Sequence, residues 1–224
     1  MRLFLASSEL GNYANRLRRL AGSNRRVLII RNARDYRPKD YVAKILADKT
    51  ALFFEYGFDP QVLDLSQFFG KTDELINYLD QYDPGVIYCL GGNPFILRAA
   101  LKLSGMDTIL RQAIMNDTIV YAGESAGIMV AVRDMNMYQR EGGFSVDSPK
   151  ELYGISSPTD GLGLIDFYPI PHTNRQEHAE QTEFFIRRIK EAGRKPLMMT
   201  DSDVYLVDGR KAEFLQPQKM PQLN

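Results

Sequence analysis

The sequence is poor in residues on which several kinds of chemistry depend. Its one cysteine, Cys89, lies in the apolar run Val86-Ile87-Tyr88-Cys89-Leu90, which excludes an internal disulfide and reads as a buried structural thiol. Two histidines and that apolar cysteine do not make a metal-ligand set, so neither a metal nor another cofactor is expected. Charge of either sign is not in excess: 28 Lys+Arg balance 28 Asp+Glu, which leaves no net field to favour nucleic acid or an anionic membrane as a partner. Long hydrophobic runs are missing as well, since no apolar segment approaches the ~20 residues needed to cross a bilayer. The opening Met1-Arg2-Leu3-Phe4-Leu5-Ala6 is too short for a secretory core and reads as a first strand, so a cytoplasmic location is expected.

What is present is a chain of 224 residues, 44% hydrophobic, enough to bury one sizeable core, and a single domain over residues 1–224 is expected. Short β-branched runs alternate with longer amphipathic ones, the pattern of an α/β protein with a mostly parallel sheet. Strands are expected over 2–6, 26–31, 61–65, 86–90, 118–121 and 164–169, with short ones over 197–200, 204–207 and 212–215 and a turn at Asp208-Gly209. Helices are expected over 12–21, 40–56, 73–81, 94–103, 106–115 and 176–192. In the second of these, Tyr41, Ile45, Leu46, Leu52 and Phe53 recur at roughly helical spacing and predict a buried face. Residues 134–158, broken by Gly142-Gly143, Ser148-Pro149 and Ser156-Ser157-Pro158, read as a long irregular excursion of the kind that carries function. Tyr138, Phe144 and Tyr153 within it are candidates to line a pocket or a homodimer interface.

The strongest chemical signal is Gly123-Glu124-Ser125-Ala126-Gly127, which follows the apolar run Thr118 to Ala122 and precedes Ile128-Met129-Val130-Ala131. Glycines on both sides let a strand turn sharply into a helix with the serine at the apex, and the amides beyond it face the same space. A serine hydroxyl needs a base, and histidine is the usual one. His172 follows an apolar strand, where open α/β sheets place their ligand sites, whereas His178 sits among polar residues and is expected to face solvent. The orienting carboxylate is not fixed by spacing: Asp134, Glu141, Asp147, Glu151 and Asp160 all lie between Ser125 and His172. A second glycine turn, Leu90-Gly91-Gly92-Asn93-Pro94, follows a strand and opens a helix. It offers a second oxyanion donor, and it lacks the Gly-x-Gly-x-x-Gly or Lys-Ser/Thr pattern of a phosphate loop.

Taken in order, Gly91-Gly92-Asn93, Gly123-Glu124-Ser125-Ala126-Gly127 and Gly161-Leu162-Gly163-Leu164 leading to Pro171-His172 resemble the aspartyl dipeptidase (peptidase E) family of serine peptidases, related to cyanophycinase. The resemblance runs from the first strand to Thr200-Asp201-Ser202-Asp203-Val204 and Asp208-Gly209. It implies a flavodoxin-like three-layer sandwich similar to class I glutamine amidotransferases. It further implies a Ser-His-acid mechanism on Ser125 and His172, with Asp147 as the acid and Glu141 second, and an oxyanion hole from the Gly92 and Ala126 amides. Asn93 and Glu124, within the same motifs, are expected to contact substrate, a small peptide. An arginine after the histidine is associated in that family with the substrate carboxylate; Glu180-Gln181-Thr182-Glu183 has no equivalent, and Arg175 is out of register. Two alternatives remain open, a carboxylesterase of the α/β-hydrolase type and a non-catalytic binding protein on the same scaffold.

Overall fold

The computed structural model describes residues 1–10, 13–140 and 148–217. Its strands are β1 (Arg2–Ala6), β2 (Arg26–Ile30), β3 (Asp59–Leu63), β4 (Val86–Cys89), β5 (Val120–Glu124), β6 (Tyr168–Ile170), β7 (Pro196–Met198), β8 (Val204–Asp208) and β9 (Lys211–Leu215). Its helices are α1 (Ala14–Ala21), α2 (Lys39–Glu55), α3 (Thr72–Tyr82), α4 (Pro94–Leu103), α5 (Met106–Met115), α6 (Ala126–Met129), α7 (Ser148–Tyr153) and α8 (Ala179–Glu191).

Seven strands form one sheet in the order β3-β2-β4-β5-β1-β8-β9, parallel from β3 to β1 and antiparallel over the last two. Strands β2 to β5 alone lie in the 2-1-3-4 arrangement of a flavodoxin-type sheet, and β1 fills the fifth place. Alternation along the strands divides the core into two layers. Leu3, Leu5, Leu28, Ile30, Ile87 and Tyr121 pack with residues of α4, α5 and α8 on one face, while Phe4, Val27, Ile29, Tyr88 and Ala122 pack with α1 and Phe53 on the other. Cys89 is fully buried between strands, and burial pushes its thiol up to about 12, which makes it inert as a nucleophile at neutral pH.

Three expectations are corrected. The face of α2 is not the expected one: Phe53 is buried with Val42 and Lys49, but Tyr41 is 47% exposed and Ile45, Leu46 and Leu52 are half-buried. Ile45 and Leu52 are drawn instead to the wall of a cavity above the sheet. The strand expected over 164–169 begins only at Tyr168, because the amides of Gly161 to Leu164 donate to carbonyls of Val130 to Arg133 and bind that run to the chain leaving α6. β6 therefore pairs only with β7, in a parallel ribbon separate from the main sheet. Third, Tyr138 is fully buried and donates to the Pro169 carbonyl, so it belongs to the core and not to an interface; Tyr153 donates to Asp35, and Phe144 lies outside the described residues.

Candidate active site

The site forms at the carboxyl ends of β1, β4 and β5, where three turns converge. Ser125 ends β5 and caps α6 with φ 48 and ψ −106, a conformation rare for a non-glycine residue. The strain is held from both sides: the Ser125 amide donates to Ala6 O at 3.2 Å, and its carbonyl accepts from the Ile128 and Met129 amides. Close packing beneath requires the flanking glycine, since a Cβ on Gly127 would lie 2.4 Å from the Cys89 carbonyl oxygen. Opposite, Gly92 has φ 150 and would carry a Cβ only 2.3 Å from Ala33 O, while a Cβ on Gly91 would sit 3.2 Å from Ser125 Cβ. The second glycine turn thus lies directly against the serine.

His172 places Nε2 3.0 Å from Ser125 Oγ and Nδ1 2.6 Å from Asp201 Oδ1. These neighbours assign the tautomer: Nδ1–H donates to the carboxylate, and Nε2 is left to accept the serine proton. The histidine backbone is itself strained, with φ 61, and is fixed by Ser7. The fully buried Ser7 hydroxyl accepts from the His172 amide at 2.9 Å and donates to Met199 O at 3.1 Å. Burial lowers the His172 pKa from its ordinary value, the Asp201 hydrogen bond raises it, and the Arg175 cation lowers it; the net direction is down, so the ring is a neutral base near pH 7. Burial alone would raise the Asp201 carboxyl, but hydrogen bonds from Arg175 and His172 outweigh it and keep the group ionised.

A cavity of about 430 Å³ opens beside this trio, bounded by Ser125, His172, Gly91, Gly92 and residues of α2. Part of the charge on its wall is already matched. Glu124 Oε2 accepts from Lys49 Nζ and Tyr88 Oη, both at 2.7 Å, and Oε1 accepts from the Gly91 amide at 3.3 Å. Among the described residues no three His, Cys, Asp or Glu side chains converge as a metal-binding group.

A model of peptidase family S51 matches residues 3–214. The chain belongs to that family. An uncharacterized peptidase of Listeria monocytogenes is 29% identical over 130 residues, 58% of this chain and 56% of that protein. A second, from Listeria innocua, is 36% identical over 88 residues, 39% of each chain. The chain thus spans about half or less of the length of the curated relatives it matches. Among solved structures, a candidate peptidase E protein from Listeria monocytogenes superposes with TM-score 0.71 at 24% identity, covering 96% of this chain and 98% of that one. A peptidase from an acI-B1 Actinobacterium gives 0.68 at 17% identity, covering 96% and 86%. At those identities the likeness is one of fold.

In this S51 family member, the sequence pair Ser125 and His172 is brought into contact, and the carboxylate at Nδ1 is Asp201, which sequence reasoning passed over. Asp147 and Glu141 lie outside the described residues. Of the other carboxylates expected to compete, Asp134 caps the turn at Asn136 and Asp160 is held by Arg98 at 2.6 Å. A search confined to the interval between serine and histidine missed the acid, yet a signal existed. The apolar run 197–200 already read as a strand, and its parallel pairing with β6, Ile170 opposite Met198, carries His172 and Asp201 off adjacent strand ends together. His178 is not solvated as expected but half-buried, its ring centroid 5.7 Å from that of His172.

Asn93 and Glu124 also differ from expectation. Asn93 is 4% exposed, and its Oδ1 accepts from the Phe95 and Ile96 amides, which makes it the cap of α4; the cavity wall at this turn is Gly91 and Gly92. Glu124 borders the cavity, but both its oxygens are engaged. Its pair with Lys49 is almost completely buried, at 6% and 8% side-chain exposure. Replacing Glu124 by Gln should leave an uncompensated buried ammonium and cost about 3–5 kcal/mol. Thermal unfolding monitored by circular dichroism should then show a Tm lower by roughly 10 °C.

Proposed function

We propose that this protein is a serine peptidase acting on small peptides through Ser125, His172 and Asp201. The observation that carries the reading is the continuous hydrogen-bonded line Ser125 Oγ, His172 Nε2, His172 Nδ1, Asp201 Oδ1, at 3.0 and 2.6 Å. Ser125 Oγ attacks the peptide carbonyl as Nε2 takes its proton. The C–N bond then breaks, and the imidazolium returns that proton to the leaving amine. Water, deprotonated by the same nitrogen, hydrolyses the acyl-enzyme. The Ala126 amide, at the first position of α6 where no intrahelical carbonyl is in reach, and the Gly92 amide would receive the oxyanion. Ser125 is then the apex of a nucleophile elbow.

A dipeptidase preference is supported by the cavity. It is small, and its wall carries Arg34, a cation with no ion-pair partner among the described residues. A peptide carboxylate would supply that partner. Arg34→Met should raise KM about tenfold or more for dipeptides with a free carboxyl terminus. The C-amidated analogues should be cleaved equally by both proteins.

The direct test is a panel of free dipeptides, N-blocked peptides and short-chain esters, offered to wild type and Ser125→Ala. Free dipeptides should be hydrolysed by wild type alone. Equal turnover by the two proteins would remove the serine assignment, and turnover of esters alone would favour the carboxylesterase reading. Asp201 at His172 Nδ1 favours a working enzyme over a non-catalytic scaffold, because an unoriented imidazole is the defect expected of the latter.

A further inference from the structure

The Asp201 carboxylate is shared. One oxygen meets His172, and the other, Oδ2, accepts from Arg175 Nε at 2.8 Å. Arg175 also reaches Ser8 Oγ through Nη2, at 3.4 Å, in the turn whose preceding residue, Ser7, holds the His172 amide. The Asp201 amide in turn donates to Asn174 Oδ1 at 2.9 Å. Two consecutive residues of the segment after the histidine, Asn174 and Arg175, therefore fix the acid by its backbone and its side chain.

We propose that Arg175 is a positioning residue of the catalytic trio, clamping Asp201 Oδ2 so that Oδ1 stays in line with His172 Nδ1, rather than an anchor for substrate. The inference rests on the serine-peptidase reading. The planar guanidinium is itself held at two points, Nε on Asp201 Oδ2 and Nη2 on Ser8 Oγ, so it sets the direction from which Oδ2 is held, which a point charge does not. Without the clamp, the half-exposed Asp201 side chain is free to rotate towards solvent. The pair is partly solvated, 36% and 30% exposed, so its direct worth to folding is small and its effect falls on geometry. Arg175 borders the cavity, which gives the anchor role a physical basis to be tested against. Its Nε is nevertheless already committed to Asp201.

The groups facing His172 are Asp201, Ser125, Arg175 and His178, with the matched Lys49–Glu124 pair, Arg34, Glu9 and Asp48 farther along the cavity wall. Of these, Arg175 opposes protonation of the ring and Asp201 assists it. Removing Asp201 should therefore lower the His172 titration, whereas removing Arg175 takes away an opposing cation and at the same time loosens the assisting carboxylate.

The test compares Arg175→Met, Arg175→Lys and Asp201→Asn, each also in a His178→Gln background so that a single imidazole is observed by NMR. In Asp201→Asn the His172 midpoint should fall; in Arg175→Met the His172 Nδ1–H resonance, slow to exchange in wild type because Asp201 holds the proton, should broaden and exchange faster with solvent. With dipeptides that wild type cleaves, Arg175→Met should lower kcat ~10- to 100-fold at unchanged KM. Arg175→Lys should recover part of the rate. A raised KM at unchanged kcat would make Arg175 a substrate anchor and overturn the proposal, as would an Nδ1–H resonance in Arg175→Met that exchanges as slowly as in wild type. Failure of wild type to cleave any peptide would count against the serine-peptidase reading, while the Nδ1–H exchange, which needs no substrate, would still decide the role of Arg175.

Discussion

Ser125→Ala should lower kcat on any peptide the wild type cleaves by about 10⁶-fold, with KM within a fewfold of wild type. The size follows from the loss of covalent catalysis: once Oγ is gone, His172 has no proton to take and no acyl-enzyme forms. Residual rate would come from the Gly92 and Ala126 amides polarising the carbonyl, which is why activity falls towards a floor rather than to zero. The fold should survive, because Ser125 is held through its backbone, by Ala6 O and by the amides of Ile128 and Met129, and alanine keeps those bonds. A β-carbon is already accommodated at φ 48, so no new strain enters. Steady-state kinetics beside a circular-dichroism melt would separate the two effects. A fall in Tm matching the loss of rate would mean that the serine is structural.

Asp201→Asn should cost about 10⁴-fold in kcat near neutral pH, an effect larger than the size of the change suggests. Arg175 explains why. Its Nε–H already faces Oδ2, so the new amide must turn its oxygen towards the guanidinium and its NH₂ towards His172 Nδ1. The imidazole can then only accept at Nδ1. Its proton moves to Nε2, where it faces Ser125 and cannot take the hydroxyl proton. The opposite amide orientation would set NH₂ against a guanidinium N–H, a donor against a donor. Loss of the carboxylate also lowers the imidazole pKa further, so the acid limb should move to lower pH while the plateau falls. A plateau within tenfold of wild type would mean that Asp201 is not the orienting acid.

The parallel sheet and both motif turns were legible because each carries a local signal. β1 is a short apolar run of Leu and Phe, β2 and β4 are apolar β-branched runs, and α4 opens with a cap residue and Pro94 at its first turn. Glu124 was legible only as a member of a motif. Its pairing with Lys49 spans 75 residues and joins a helix to a strand end, which no window along the chain contains. The same holds for Asp201, whose partner His172 is 29 residues away and meets it through the pairing of two three-residue strands. The buried face of α2 misled for another reason. Apolar residues at helical spacing face whatever the helix borders, and here that is partly a cavity, with Lys49 taking a core position because Glu124 neutralises it.

The ribbon of β6 and β7 has a consequence for how the protein would lose activity. The proposed base and acid, His172 and Asp201, both follow the strand ends of this separate ribbon, whereas the proposed nucleophile and oxyanion amides follow strands of the seven-stranded sheet. On the proposed mechanism the reaction is thus divided between two parts whose reacting groups meet across one 3.0 Å hydrogen bond, with the Ser7 hydroxyl and the Arg175–Ser8 contact bracing the same seam. A shear of ~1 Å between the parts would leave the His172–Asp201 contact intact while uncoupling the proton acceptor from its donor. Catalysis in such a design fails at the seam first, before the sheet has begun to unfold.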